Sequence, residues 1–188
     1  MTTIKTSRLN LRLWKEDDFE LFAKLNQDPR VMEYFAKIPT PEESYKFAKS
    51  KQEHLVKYGW GLWAVSLITN DEFIGFIGLN ADKELFKEPV VEIGWRIAFD
   101  YWGKGYATEG ARVVLDYGFK GIGLSEIFSW TTETNMRSRK VMEKIGLNHD
   151  PKNDFDHPKL SKDHPLKRHV LYSITKEHWK NLHSNFSN

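Results

Sequence analysis

The sequence predicts a mixed α/β (α+β) domain, with helices on the faces of a single mixed sheet. Three observations predict it. Apolar residues switch between a period of two and a helical period, in the order strand, helix, helix, several strands, helix, strand, helix, strand. The 188 residues are enough for one core and too few to expect two. Aromatic residues make up 14 % of the chain, so a large apolar area is available for burial.

Each element has a local reason. Leu9 to Leu13 alternate apolar and polar residues, as a half-buried strand does. Asp17 and Asp18 precede Phe19, Leu21, Phe22 and Leu25, a helical spacing with acidic residues at its positive end. Asp28-Pro29 stops that helix. Thr40-Pro41-Glu42-Glu43 is a capping box with proline at the first helical position. Its helix runs to about Lys57 and ends at Tyr58-Gly59. Leu62–Ile68 and Phe73–Leu79 flank a hairpin connection, Thr69 to Glu72. A polar loop, Ala81–Pro89, leads to a strand over Val90–Ala98. A helix follows over Thr108–Lys120, broken by Gly121-Ile122-Gly123, and then a strand at Ile127–Trp130. Ser138–Ile145 reads as a short helix closed by Gly146. Lys152–Lys167 is polar and reads as a long loop. Val170–Ile174 is the last strand, and Thr175 caps a final helix through Leu182, followed by a loose tail.

Bulk properties exclude several classes. A formal net charge of +2 gives no reason to invoke nucleic acid or an anionic membrane. The chain has no cysteine, which excludes disulfides, thiolate zinc sites and a cysteine nucleophile, and suits a reducing cytoplasm. No apolar run approaches the ~18 residues of a membrane span. The N-terminal residues lack the apolar core of a signal peptide. The expectation is a soluble cytoplasmic protein. His149, His157, His164 and His169 cluster late in the chain, without helical metal-ligand spacing, and read as a solvated loop rather than a metal site.

The most informative segment is Tyr101 to Gly110, Y-W-G-K-G-Y-A-T-E-G, which joins a strand to a helix. The first amides of a helix have no intrahelical partner and sit at the positive end of its dipole, so such a junction holds phosphate. Gly103 and Gly105 remove Cβ atoms that would keep ligand oxygens away. A P-loop is excluded because no G-x-x-x-x-G-K run precedes Ser or Thr. A Rossmann fingerprint is excluded because G-K-G-Y-A-T lacks the third glycine, and no acidic residue ends a strand about 20 residues on.

Three stretches carry a resemblance: S-R-L-N-L-R-L with E-D-D; E-I-G-W-R-I-A-F-D-Y-W-G-K-G-Y-A-T-E-G; and T-E-T-N-M-R-S-R-K-V-M-E-K-I-G-L. In this order and spacing the chain resembles the GNAT N-acetyltransferases, in the ribosomal-protein N-terminal (RimJ/RimL-like) branch. The resemblance covers nearly the whole length, so residues 1–188 are expected to be one such domain. It implies a mostly antiparallel, splayed sheet and acetyl-CoA as co-substrate, with no metal. It implies that the backbone from Gly103 through Lys104, Gly105, Tyr106 and Ala107 to Thr108 binds the CoA diphosphate. Trp102 fills a slot where the wider family carries Gln or Arg. The splayed strand, near Trp95 to Ile97, would pair with the pantetheine arm and supply an oxyanion donor.

The implied reaction is direct attack of an amine on the thioester. The tyrosine that many members use to protonate the thiolate is replaced by Met142, which cannot donate a proton but remains a cofactor-contact candidate. In this branch Ser138, three positions after Asn135, takes that role; its bland reading is a helix cap. Asn135 would contact the cofactor or act as a turn residue. Glu92 is the candidate base, or a carboxylate on a solvent face. Glu109 is expected to complement the helix dipole. Trp60, Trp63 and Trp95 could line an acceptor groove or pack in the core.

An α-amine has a pKa of about 7.7–8.0 and a lysine one of about 10.4, so a site without a strong base fits α-amines better. The leading acceptor is a protein N-terminal amine. Alternatives are a small amine (polyamine, amino acid or aminoglycoside), or an acyl-CoA-binding module without catalysis. The acceptor loops are expected at Val31–Pro39 and Asn153–Lys167. Lys37, Lys152, Lys159, Lys162 and Lys167 make them basic, which argues against a polycation. Monomer and homodimer are both compatible with the sequence.

Overall fold

Capping chemistry decides where several helices begin and end. In a computed structural model, which describes residues 3–82, 85–86 and 88–184, Thr40 accepts the Glu43 N–H at 3.1 Å and Glu43 accepts the Thr40 N–H at 2.8 Å. The helix they start spans Pro41–Tyr58 and ends at Gly59, whose φ of +77° is the left-handed conformation glycine adopts without a Cβ clash. Thr175 likewise accepts the His178 N–H at 3.2 Å and opens the last helix.

The elements in order are β1 (Ile4–Lys5), β2 (Leu9–Arg12), α1 (Glu16–Gln27), α2 (Pro41–Tyr58), β3 (Leu62–Leu67), β4 (Phe73–Asp82), β5 (Val90–Ile97), α3 (Tyr106–Asp116), β6 (Glu126–Thr132), α4 (Met136–Lys144), β7 (Asn148–His149), β8 (Phe155–Asp156), β9 (Arg168–Thr175) and α5 (Lys176–Ser184). The sheet order is β1-β2-β3-β4-β5-β6-β9-β7, with β8 also on β9. This is the mixed, mostly antiparallel α/β architecture that the sequence predicts. The chain divides into two compact units, Met1–Asn80 with Gly94–Val114, and Ala81–Ile93 with Leu115–Asn188.

In the first unit β1 to β4 form an antiparallel ladder, with Leu9 opposite Leu67 and Arg12 opposite Ala64. Leu9 and Leu11 are fully buried on one face, as the alternation requires. Trp14, Phe22, Trp63, Ile74 and Ile77 complete this core, and the Trp14 and Phe22 rings meet edge to face at 5.3 Å. Helix α1 packs on α2, and α2 on β3. Gly75 has no room for a side chain, because an added Cβ would stand 2.0 Å from the Arg96 carbonyl oxygen.

The first unit departs from the sequence reading at two charges. The alternation places Arg12 on a polar face, and Asp18 is expected as one of the acids at a helix's positive end, where α1 does hold it. Both are buried, and Asp18 lies in the first turn of α1. Asp18 accepts from Arg12 Nη1 at 2.6 Å and Nη2 at 3.0 Å, and from the Lys15 N–H at 2.7 Å. Asp71 extends this network at the surface. Hydrogen bonds from Lys15 and then Ser66 pull its carboxyl down from 3.8 to about 2. Its stabilising contribution is therefore complete above 3.8 and lost as the pH falls through about 2. The melting-temperature gap between wild type and Asp71→Asn is expected to close over that interval. A gap unchanged at pH 2 contradicts this account.

In the second unit β6 and β9 pair antiparallel from Glu126–Thr175 to Thr132–His169. The two-residue strands β7 and β8 add to β9, and β8 lies within the Lys152–Lys167 stretch expected to be loop. Gly121 does not break the preceding helix. The chain widens there into a π turn over Tyr117–Ile122 and stops at Gly123, whose φ is +85°. The widened turn keeps Phe119 fully buried, 5.3 Å from the ring of Trp179. Helix α4 packs on β6 and α5 on β9. The expected loose tail beyond residue 184, and residues 83, 84 and 87 of the polar loop, lie outside the described residues.

Candidate active site

The strand–turn–helix junction lies in the first unit. The Ala98 N–H donates to the Ile74 carbonyl at 2.9 Å, which holds the end of β5 on β4. A short 3-10 turn, Phe99–Tyr101, follows, and the Trp102 N–H closes it on Phe99 at 3.0 Å. The Trp102 indole then donates to the Ile97 carbonyl at 2.7 Å, so this side chain pins the turn to the strand. The Ile97 side chain is buried and its carbonyl is occupied by that bond, so neither group is available to a ligand. Trp95 is half-buried.

Gly103 and Gly105 have φ of +74° and +83°, a region that glycine enters freely. Helix α3 begins at Tyr106, two residues before the expected start, so Tyr106 and Ala107 belong to its first turn. The first amide to donate into the helix is that of Glu109, to Gly105 at 3.0 Å. The amides of Tyr106, Ala107 and Thr108 donate to no backbone carbonyl among the described residues. With the dipole behind them, they form a seat for an anion.

Sequence reasoning missed what braces this seat. Arg8 donates to Glu109 from Nε at 2.7 Å and pairs through Nη2 at 2.6 Å. Its Nη1 donates to the Lys104 carbonyl at 3.0 Å, and the guanidinium lies 4.5 Å over the Tyr106 ring. Glu109 also accepts from Thr6, Ser7 and the Arg8 N–H. Burial pushes the Glu109 carboxyl up, but these hydrogen bonds win and hold it below its ordinary value. Glu109 therefore does more than complement the dipole: it ties the N-terminal segment to α3. The quoted S-R-L stretch contains Arg8, but no spacing rule links it to a partner 101 residues away.

The second unit holds the other candidates. Glu92 is half-buried on β5 and lies in parallel register with Phe128 of β6. The Ile93 carbonyl accepts from the Ser129 hydroxyl at 2.9 Å, a side-chain bond between β6 and β5. Helix α4 begins at Met136 and its cap is Asn135, not Ser138. Asn135 accepts the Ser138 N–H at 3.2 Å and donates to Thr131 Oγ1 at 2.9 Å. Ser138 is half-buried, and its hydroxyl makes no hydrogen bond among the described residues. Met142, expected at the cofactor, is 1 % exposed and belongs to the core instead.

The histidines are not simply a solvated loop. His149 bonds Asp154 at 2.8 Å and stacks on Tyr172, and His169 is buried on β9. Among the described residues no three His, Cys, Asp or Glu side chains are grouped to hold a metal. No described helix is long and apolar enough to cross a membrane. Trp63 is a core residue, while Trp60 is half-buried beside His54. Two of the loop lysines are already partnered: Lys37 pairs with Glu43 at 2.6 Å, and Lys167 donates to the His157 carbonyl at 2.9 Å.

A mixed sheet and a glycine turn that presents unpaired helix amides suit a protein that binds a phosphate-bearing cofactor. Residues 8–148 match the model of the acetyltransferase (GNAT) domain. A relative from Aspergillus fumigatus, FsC-acetyl coenzyme A-N(2)-transacetylase, is 32 % identical over 187 residues, 94 % of this chain and 77 % of its own. An acetyltransferase of the GNAT family from Bacillus anthracis has a similar structure, with a TM-score of 0.78 and 29 % identity, over 94 % of this chain and 99 % of that one. Ribosomal-protein-S5-alanine acetyltransferase from Vibrio fischeri shares the fold, with a TM-score of 0.73 and 20 % identity, over 95 % of this chain and 99 % of that one. The chain belongs to the GNAT acetyltransferase family and is an acetyl-CoA-dependent N-acetyltransferase.

Proposed function

We propose that this enzyme acetylates an α-amine, that of a protein N-terminus, and that the CoA diphosphate rests on the turn from Gly103 to Thr108. The observation that carries the cofactor assignment is the set of unpartnered amides at Tyr106, Ala107 and Thr108 behind two left-handed glycines. Gly103, Lys104 and Gly105 are exposed, so nothing in the first unit shields that approach.

The roles follow from what the reaction requires. The neutral amine attacks the thioester carbon; a C–N bond forms and the C–S bond breaks. A backbone amide of the Trp95–Ile97 strand stabilises the oxyanion. The amine proton leaves to Glu92, directly or through water, and Ser138 passes a proton to the departing thiolate while taking one up from water. The free Ser138 hydroxyl supports this role, because Asn135 has already taken over the capping duty. An α-amine needs less help to lose its proton than a lysine does. This suits a site whose candidate base is one half-buried carboxylate.

Ser138→Ala is expected to lower kcat by about 10²-fold and leave the acetyl-CoA KM unchanged. An unchanged kcat would transfer the role to water. A second reading, a small-molecule amine acceptor, is favoured by the 32 % identical relative, named as an N(2)-transacetylase, which aligns with 94 % of the chain. Thiol release measured across N-terminal peptides, amino acids and polyamines separates the readings. Turnover confined to small amines would reject the protein acceptor.

A further inference from the structure

Among the described residues of the first unit, Arg12 is buried against a carboxylate and Arg96 is half-buried without one. Arg12 is closed by a bidentate bond to Asp18. Arg96, on β5, lies among three aromatic rings: its guanidinium is 4.2 Å from Phe35 and 5.6 Å from both Phe22 and Phe76. No carboxylate among the described residues faces it. Burial, with no opposing negative charge among the described residues, pulls its pKa down to about 10.

Its polar contacts are equally incomplete. Nη1 donates to Asn26 Oδ1 at 2.7 Å. Asn26 is fixed in turn, because its Nδ2 donates to the buried Ser44 hydroxyl at 2.9 Å. Arg96 Nε is buried without a partner. Nη2 makes no hydrogen bond among the described residues. A buried cation is tolerated when it is paired and fully hydrogen-bonded, and ring faces and one amide oxygen do not supply that. The two unsatisfied donors, Nε and Nη2, lie on one edge of the planar guanidinium, the edge that matches a carboxylate, and Nη2, which is not sealed off as Nε is, is the end an anion reaches first. Part of Arg96 remains reachable by solvent, and Phe35, the ring nearest its guanidinium, is 43 % exposed. Phe35 belongs to the loop expected to hold the acceptor.

We propose that Arg96, held by Asn26, is an anion subsite that reads a carboxylate on the amine acceptor. The proposal deepens the acceptor reading above and rests on it. The carboxylate has two possible sources: the α-carboxylate of a free amino acid, or an acidic side chain following the N-terminal residue of a peptide.

The test uses two matched acceptor pairs: alanine against alaninamide, and N-terminal Ala-Asp peptides against Ala-Asn peptides. In the wild type the carboxylate member of one pair is expected to have a KM at least about tenfold lower, and the pair that responds identifies the source. Asn26→Asp gives the guanidinium a carboxylate of its own, so the preference should vanish while the melting temperature rises. Arg96→Met should also abolish the preference, and Asn26→Asp should do so with the acetyl-CoA KM unchanged. If Arg96→Met does not fold, Asn26→Asp alone decides. Equal KM values within both pairs overturn the subsite and leave acetyl transfer intact, as does an Asn26→Asp variant that shifts the acetyl-CoA KM instead. Should none of these acceptors turn over, the Arg96 Nε–H resonance is followed during titration with each pair. A shift with the carboxylate members only upholds the subsite while rejecting these acceptors; no shift with any of them rejects the subsite.

Discussion

Gly105→Val is expected to raise the KM for acetyl-CoA by at least about tenfold while the protein stays folded. Two effects act together. A residue with a side chain held at φ +83° is strained by about 1–2 kcal/mol, and a β-branched residue resists that conformation most. The new Cβ would stand 3.5 Å from Arg8 Nη2, beside the guanidinium that holds the Lys104 carbonyl. The added bulk also rises from the exposed face of the turn, where phosphate oxygens need to approach the amides of Tyr106 to Thr108. Gly105→Asn separates these effects, because asparagine tolerates the left-handed region. If blocked approach is the cause, both variants weaken acetyl-CoA binding in titration calorimetry. An asparagine variant with wild-type affinity would assign the loss to backbone strain and remove the turn from the phosphate site.

Asp18→Ala is expected to destabilise the protein by about 3–5 kcal/mol, read from urea unfolding midpoints. The alanine leaves a buried guanidinium without its carboxylate and the Lys15 N–H without its acceptor. At 2 % exposure Asp18 cannot be replaced by bulk water at its own position. The double variant Arg12→Met with Asp18→Leu should recover most of the loss, since an apolar pair of similar volume often replaces a buried ion pair without penalty. A single variant that costs less than about 1 kcal/mol would show that water reaches Arg12 and that the pair is dispensable.

Both predictions turn on residues that the sequence presents unequally. Gly103 and Gly105 stand out in it because a strand pattern and a helix pattern flank them, and the unpaired amides follow from chain geometry alone. Asp18 does not stand out. It reads as one of several acids at a helix start, and only the position of Arg12 in the folded chain turns it into a buried partner. The cap of α4 shows the same limit at short range. Asn135 and Ser138 are both good cap residues, and the helix starts earlier than its apolar spacing implied because Thr131 holds the Asn135 side chain in place.

What the sequence determined by itself is what neighbouring residues decide. The Thr40 and Thr175 caps, the stop at Gly59, the alternation of Leu9 and Leu11 and the glycine turn all depend on contacts within a few positions, whose energies are present before the chain collapses. Only the tertiary structure decided which distant groups meet. Arg8 with Glu109, Arg12 with Asp18, Arg96 with Asn26 among three rings, and Met142 in the core are each set by packing. A charge or a thioether carries no local mark of the partner it will find, because that partner is chosen by which arrangement of the whole chain leaves the fewest buried groups unsatisfied.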